Sequence, residues 1–198
     1  MTPKNIFIVG AQSTGKTFLV QALKDHFTRY REHGMPQPLI ISEIARNVLR
    51  ELDINRNDIA TSPTKSLQLQ TAILKAQYKA ETATKDASCW YVTDRSGIDP
   101  VVYARLSVSE DAAQTLLASH EWKTLEQNMK EGLVFVCEAG CTWLVDDGTR
   151  WLPKDAQHWH EFDQAFRKLL SERGIEYQVV PRHVTQIDER VKLVVEGD

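Results

Sequence analysis

The segment Gly10-Ala11-Gln12-Ser13-Thr14-Gly15-Lys16-Thr17 restricts the possible folds of this chain more than any other stretch. It fits G-x-x-x-x-G-K-[ST] and lies between the two elements that give the pattern meaning. Ahead of it, Asn5-Ile6-Phe7-Ile8-Val9 is a short, mostly apolar run of the kind that forms a buried parallel strand. Behind it, residues 17–30 place Phe18, Leu19, Ala22, Leu23 and Phe27 at helical spacing, with polar residues between. Glycines at 10 and 15 let the backbone wrap a phosphate chain without Cβ clashes. The N–H groups so exposed, with the helix N-terminus, present a positive field to an anion. Lys16 adds a point charge for the β- and γ-phosphates, and the Thr17 hydroxyl is a natural Mg²⁺ ligand. Residues 10–17 are therefore expected to bind a nucleoside triphosphate.

A chain of 198 residues suits a single domain, 1–198, with room for a small lid. Its formal net charge of −3 argues against a surface that coats nucleic acid, and no nucleic-acid partner is expected. Cys89, Cys137 and Cys141 form no C-x-x-C pair, and two of them sit in predicted strands. Reduced thiols are expected rather than disulfides. The N-terminus enters the first strand at once, leaving no room for a signal peptide, and no apolar run approaches the roughly 20 residues of a membrane span. The expectation is a soluble, cytoplasmic protein; oligomeric state is not encoded in any readable pattern.

Turn residues at 33–38 break the first helix, with Gly34 placed as its C-cap. Leu39-Ile40-Ile41 reads as a second strand and residues 44–52 as a helix. A polar, loop-like segment at 53–62 precedes a long helix over 64–85. Trp90-Tyr91-Val92-Thr93 is a third strand, followed by two or three short helices that Gly132 ends. Residues 133–137 form a fourth, fully apolar strand, 154–173 a helix, 177–180 a fifth strand and 185–195 a terminal helix. Alternating strands and helices predict an α/β protein with a parallel sheet covered on both faces, its active groups at the strands' carboxyl ends.

Asp94 closes the third strand, where it can hold or orient a magnesium ion facing Thr17, or simply cap the next helix. Glu43 closes the second strand and can take a proton from an attacking hydroxyl, or sit as a solvated first-turn acid. Arg46, three residues on, can hold Glu43 or touch a substrate. Arg95 can supply charge to a transferring phosphoryl group or form a structural pair with Glu43. The stretch from Trp143 to Trp151, with Asp147 and Arg150, has the composition of a lid closing over phosphates, at about 143–160, with Arg150 reaching inward. His158 and His160 lie two apart on a helix, which does not suit zinc.

Taken together, GAQSTGKT at 10–17, SEIARNVL at 42–49, SLQLQTAILKAQY at 66–78, VTDRSGIDPVVYA at 92–104 and TWLVDDGTR at 142–150 resemble the NadR-like P-loop group of AAA-type proteins. That group includes the nicotinamide riboside kinase domain of bifunctional NadR proteins and eukaryotic relatives linked to GTP and phosphoinositide binding. The resemblance implies a three-layer, nucleoside-kinase-like core with strand order 2-3-1-4-5. It further implies that residues 10–17 hold the triphosphate, that Asp94 is the magnesium-side or base carboxylate, and that Glu43 and Arg46 line the acceptor side. Trp143 matches an aromatic placed to stack on a substrate ring, with Asp147 and Arg150 in the lid. Two functions are therefore expected. The first is an ATP- and Mg²⁺-dependent kinase, with GTP as a possible donor, acting on a nucleoside- or riboside-like hydroxyl through Lys16, Asp94 or Glu43, Arg95 and Arg150. The alternative is a nucleotide-switched protein that recognises a protein or a membrane-lipid headgroup.

Overall fold

The apolar runs pair side by side in a computed structural model that describes residues 3–30, 36–86, 89–141 and 156–197. They form strands β1 (Ile6–Val9), β2 (Leu39–Ile41), β3 (Tyr91–Asp94), β4 (Leu133–Cys137) and β5 (Gln178–Val180). Every pairing is parallel and the order across the sheet is β2-β3-β1-β4-β5, as the resemblance implies. Between the strands run α1 (Lys16–Arg29), α2 (Ile44–Glu51), α3 (Arg56–Thr61), α4 (Pro63–Asp86), α5 (Ile98–Ser107), α6 (Glu110–Ala118), α7 (His120–Glu131), α8 (Ala156–Glu172) and α9 (Ile187–Val195).

Side chains alternate across the sheet and feed two cores, one on each face. Phe7, Val9, Tyr91, Val134 and Val136 face one way and pack with residues of α4 to α8. Ile6, Ile8, Val92, Phe135 and Cys137 face the other way, against α1 and α9. Both faces are covered, which is why the central strands read as continuous apolar runs instead of alternating ones. A third, smaller cluster of Val48, Ile54, Leu69 and Ile73, with Ile59 packed against it, ties α2 and α3 to the start of α4. No helix among the described residues is long and apolar enough to cross a membrane.

Three local expectations are corrected. The polar segment 53–62 contains a helix, α3, because the Asn55 side chain accepts from the Asn57 and Asp58 N–H groups while the Asp58 carboxylate accepts from the Asn55 N–H. This reciprocal cap lets a short polar run be helical. Phe18 is no core residue: it is 81% exposed. Cys137 alone of the three cysteines lies in a strand. Gly34 and residues 143–155 of the expected lid lie outside the described residues, while 156–160 form the opening turn of α8.

The carboxyl ends of β1, β2, β3 and β4 come together on one edge of the sheet. In the register, Ile8 of β1 stands beside Asp94 of β3 and Phe135 of β4. The loops that leave this edge therefore meet, as open α/β sheets require of their binding crevices.

Candidate active site

The loop leaving β1 can turn as it does only because two of its residues lack side chains. Gly10 has φ +129°, and a Cβ there would lie 2.7 Å from the Cys137 carbonyl oxygen. Gly15 is left-handed at φ +82° and stands at the N-cap of α1. Three helices pin the loop between these glycines. Trp159 Nε1 of α8 donates to the Gln12 carbonyl at 2.8 Å, and Arg190 Nη2 of α9 donates to the Thr14 carbonyl at 3.0 Å. From α5, the Tyr103 hydroxyl donates to Gln12 Oε1 at 2.8 Å. Lys16 Nζ is turned inward, donating to the Gly10 carbonyl at 2.8 Å, the Ala11 carbonyl and Thr14 Oγ1. Burial lowers its ammonium from 10.5 to about 8; the Arg95 charge works the same way, against Asp99 and Asp94.

Beside this loop, Asp94 is 6% exposed and its Oδ2 accepts from the Thr17 hydroxyl at 2.6 Å. Its other oxygen, Oδ1, is buried without a hydrogen-bond partner. Asp94 does not cap α5. The N–H of Ser96, just ahead of that helix, goes instead to Asp99 Oδ2 at 3.1 Å. The next residue, Arg95, extends the β1–β3 ladder through its N–H to the Ile8 carbonyl, then turns into a left-handed conformation, φ +82°. Its guanidinium pairs with Asp99 at 2.9 Å and lies 6.0 Å from the centre of the Tyr103 ring. Burial opposes the Arg95 charge, yet Tyr103, Asp99 and Asp94 hold it firmly protonated. The alternative pairing of Arg95 with Glu43 is thus overturned: Asp99 takes Arg95, and Glu43 pairs with Arg46 at 2.9 Å.

Behind the β3–α5 turn, the fully buried Glu81 of α4 accepts from Gln77, Tyr91, Asn128 and Ser96. Burial pushes the Glu81 carboxyl up, and these four donors pull against it. The Ser96 contact anchors the turn that carries Asp94 and Arg95 to the body of the protein.

These groups open into a cleft of about 660 Å³. Its lining includes Gln12, Ser13, Gly15, Lys16, Thr17 and Asp94 together with the apolar side chains Ile44, Leu49, Ile54, Ile59, Leu69 and Ile73, and with Glu43 and Arg46. Gln70 of α4 also faces the cleft, 4% exposed. Among the described residues, the non-glycine positions with positive φ are Ser13, Glu43, Asp53 and Arg95, and all four line this one cleft. Such backbone costs on the order of 1–3 kcal/mol each and collects where function holds it in place.

The fold thus brings together Lys16, Thr17, Asp94, Arg95, Glu43 and Arg46 on one cleft. Trp143, Asp147 and Arg150 lie outside the described residues. Sequence reading missed Asp99 and Tyr103, although both follow Arg95 at steps of four in D-R-S-G-I-D-P-V-V-Y, a spacing that stacks side chains along a helix. It also missed Gln70, Glu81, Trp159 and Arg190, for which no local signal exists. A magnesium ion fits what is present: a hydroxyl and a carboxylate with one orphaned oxygen are hard donors. No group of three or more His, Cys, Asp or Glu that could hold a metal gathers among the described residues, at this site or elsewhere, so the protein would supply only part of the shell. Phosphate oxygens and water commonly complete such a shell.

Comparison with known proteins identifies the fold. NadR in complex with NAD and AMP-PNP superposes with a TM-score of 0.70 at 20% identity, covering 98% of this chain and 49% of that one. NadR in complex with NR gives 0.68 at 20% identity, covering 98% and 52%. The present chain thus spans about half the length of the NadR chains it matches. Deoxyadenosine kinase from M. mycoides with bound dATP gives 0.62 at 12% identity, with 98% of each chain covered. At these identities the likeness is one of fold. No curated protein matches the sequence. The model for the AAA domain, however, matches residues 5–190, nearly the whole length. The chain belongs to the AAA domain family, with the fold shared by NadR and deoxyadenosine kinase.

Proposed function

We propose that this protein is a phosphotransferase that moves the γ-phosphoryl group of ATP, with Mg²⁺, onto a hydroxyl of a nucleoside- or riboside-like acceptor. One juxtaposition carries the reading: the cleft that holds Lys16 and the Thr17–Asp94 contact is also lined by apolar side chains between Ile44 and Ile73 and by a carboxylate, Glu43. A nucleotide hydrolase needs only the phosphate loop and its metal side; a kinase also needs a place for an acceptor. Structures of similar fold are described with an ATP analogue, with NR and with dATP, which supports a nucleotide and a nucleoside-like molecule in the same cleft.

In this reading the backbone of 10–17 and Lys16 hold the triphosphate, and Thr17 and Asp94 hold the magnesium ion, which would neutralise charge on the phosphates. Asp94 is then committed to the metal side by its contact with Thr17, which leaves Glu43 as the base that takes the acceptor's proton. Arg46 orients Glu43, and Arg95, fixed by Asp99, spreads charge at the transferring group. The Gln70 amide offers a donor and an acceptor at the cleft wall, which favours a polar ring edge over a plain hydrocarbon.

Two substitutions separate the parts. Lys16→Ala should weaken ATP stabilisation of the fold and reduce transfer severely. Glu43→Gln should keep the ATP-induced rise in melting temperature but lower kcat by on the order of 10²–10⁴. Near-wild-type turnover by either variant would refute the assignment.

A further inference from the structure

We propose that the side-chain amide of Gln12 donates a hydrogen bond to the transferring phosphoryl group, and that Tyr103 is the positioning residue that aims it. The inference rests on the phosphotransferase reading above. The second loop residue after Gly10 is commonly read as spacer, its contribution confined to the backbone. Here its side chain is 2% exposed, and Nε2 is buried with no hydrogen-bond partner. A buried amide N–H is costly to leave unpaired, so such a donor points to an acceptor that arrives with a ligand. Gln12 lines the cleft beside Lys16 and Thr17, and the acceptors that enter a loop of this type are phosphate oxygens.

Tyr103 decides which end of the amide is offered. Its hydroxyl donates to Gln12 Oε1 at 2.8 Å, occupying the oxygen and leaving the N–H₂ as the free end. The Tyr103 ring is itself held against Phe162, with centroids 5.0 Å apart, and against the Arg95 guanidinium, which Asp99 fixes. One tyrosine therefore touches both the cation beside Asp94 and the amide of the phosphate loop. The loop's shape does not depend on the Gln12 side chain, because Trp159 grips the Gln12 main-chain carbonyl.

In the transfer, the acceptor oxygen bonds to the γ-phosphorus while the bond to the β–γ bridging oxygen breaks. The diphosphate leaves with that electron pair, and the acceptor's proton passes to Glu43. The Gln12 amide gives up no proton; it only bonds to an oxygen on which negative charge is redistributed, so it acts on kcat more than on ATP binding.

The test is a kinetic cycle on the full chain with Gln12→Ala, Tyr103→Phe and the double variant. ATP turnover is read with the best riboside acceptor, or with water if none serves. Gln12→Ala should lower kcat on the order of 10- to 100-fold with the KM for ATP within about twofold, a milder loss than removal of a principal oxyanion donor. Tyr103→Phe should lower kcat in the same direction, and the double variant should be no slower than Gln12→Ala alone. Unchanged kcat in Gln12→Ala, or losses that multiply in the double variant, would overturn the proposal. A wild-type chain that ATP does not stabilise would bring down the nucleotide-binding reading first and this inference with it.

Discussion

Lys16 donates within its own loop, to two carbonyls and the Thr14 hydroxyl. Its ammonium is held down to about 8, chiefly by burial. A polyphosphate in the loop would favour the charged form and raise that value again. Near pH 8, then, ATP binding should take up a proton, and affinity should fall as pH climbs above 8. Titration calorimetry in two buffers of different ionisation enthalpy reads the uptake directly; Lys16→Met should abolish it, and no buffer dependence in the wild type would contradict the account. The stability of the free protein follows the same linkage. Between about 8 and 10.5 the unfolded chain keeps a proton on Lys16 that the folded chain has lost, so stability contributed by this group rises with pH across that window. At this scale, the residues legible from sequence were those whose place is set by local pattern. Lys16 and Thr17 follow a glycine-bounded loop, and Asp94 ends an apolar strand. Gln70 reaches the cleft, and Arg190 the Thr14 carbonyl of the loop, through packing of helices far apart in the chain, which no local pattern encodes. Glu43 was legible as a strand-end acid, but its left-handed backbone was not.

The strands were easy to find because each central one is buried on both faces and so reads as an unbroken apolar run. Helix α3 was not, since it spans only Arg56–Thr61 and its stability comes from a cap rather than from an apolar stripe. That helix matters beyond its length: Ile59 and the adjoining Asn55 line the cleft. Asn55→Ala should cost about 1 kcal/mol through loss of the cap. In a chain of this size that lowers the melting temperature by roughly 2–4 °C. Calorimetric scanning checks the number, and an unchanged melting temperature would mean the cap adds nothing. The buried hub at Glu81 shows the converse, an element-scale feature without a sequence signature. Its four donors come from α4, β3, the β3–α5 turn and α7, and they converge only when the sheet is assembled.

Across the whole molecule, strand order is what turns scattered motifs into a cleft. With β1 between β3 and β4, the glycine loop lies against Asp94 on one side and Cys137 on the other, and β2 next to β3 brings Glu43 alongside. Alternation of strands and helices predicts a parallel sheet, but the order 2-3-1-4-5 was legible only through resemblance to a family, because periodicity says nothing about which strands neighbour. Helices α2 and α3 and the first half of α4, with their own small core, supply the apolar part of the cleft lining. The account stands on that cleft receiving a phosphoryl acceptor beside the nucleotide. The direct measurement is ATP consumption by the purified full chain with Mg²⁺, with and without each member of a nucleoside and riboside panel. We expect slow consumption alone and a large increase, with stoichiometric phosphorylated product, for one acceptor class. Slow hydrolysis that no acceptor changes, with preference for GTP, would contradict the kinase and leave a nucleotide-switched protein in its place.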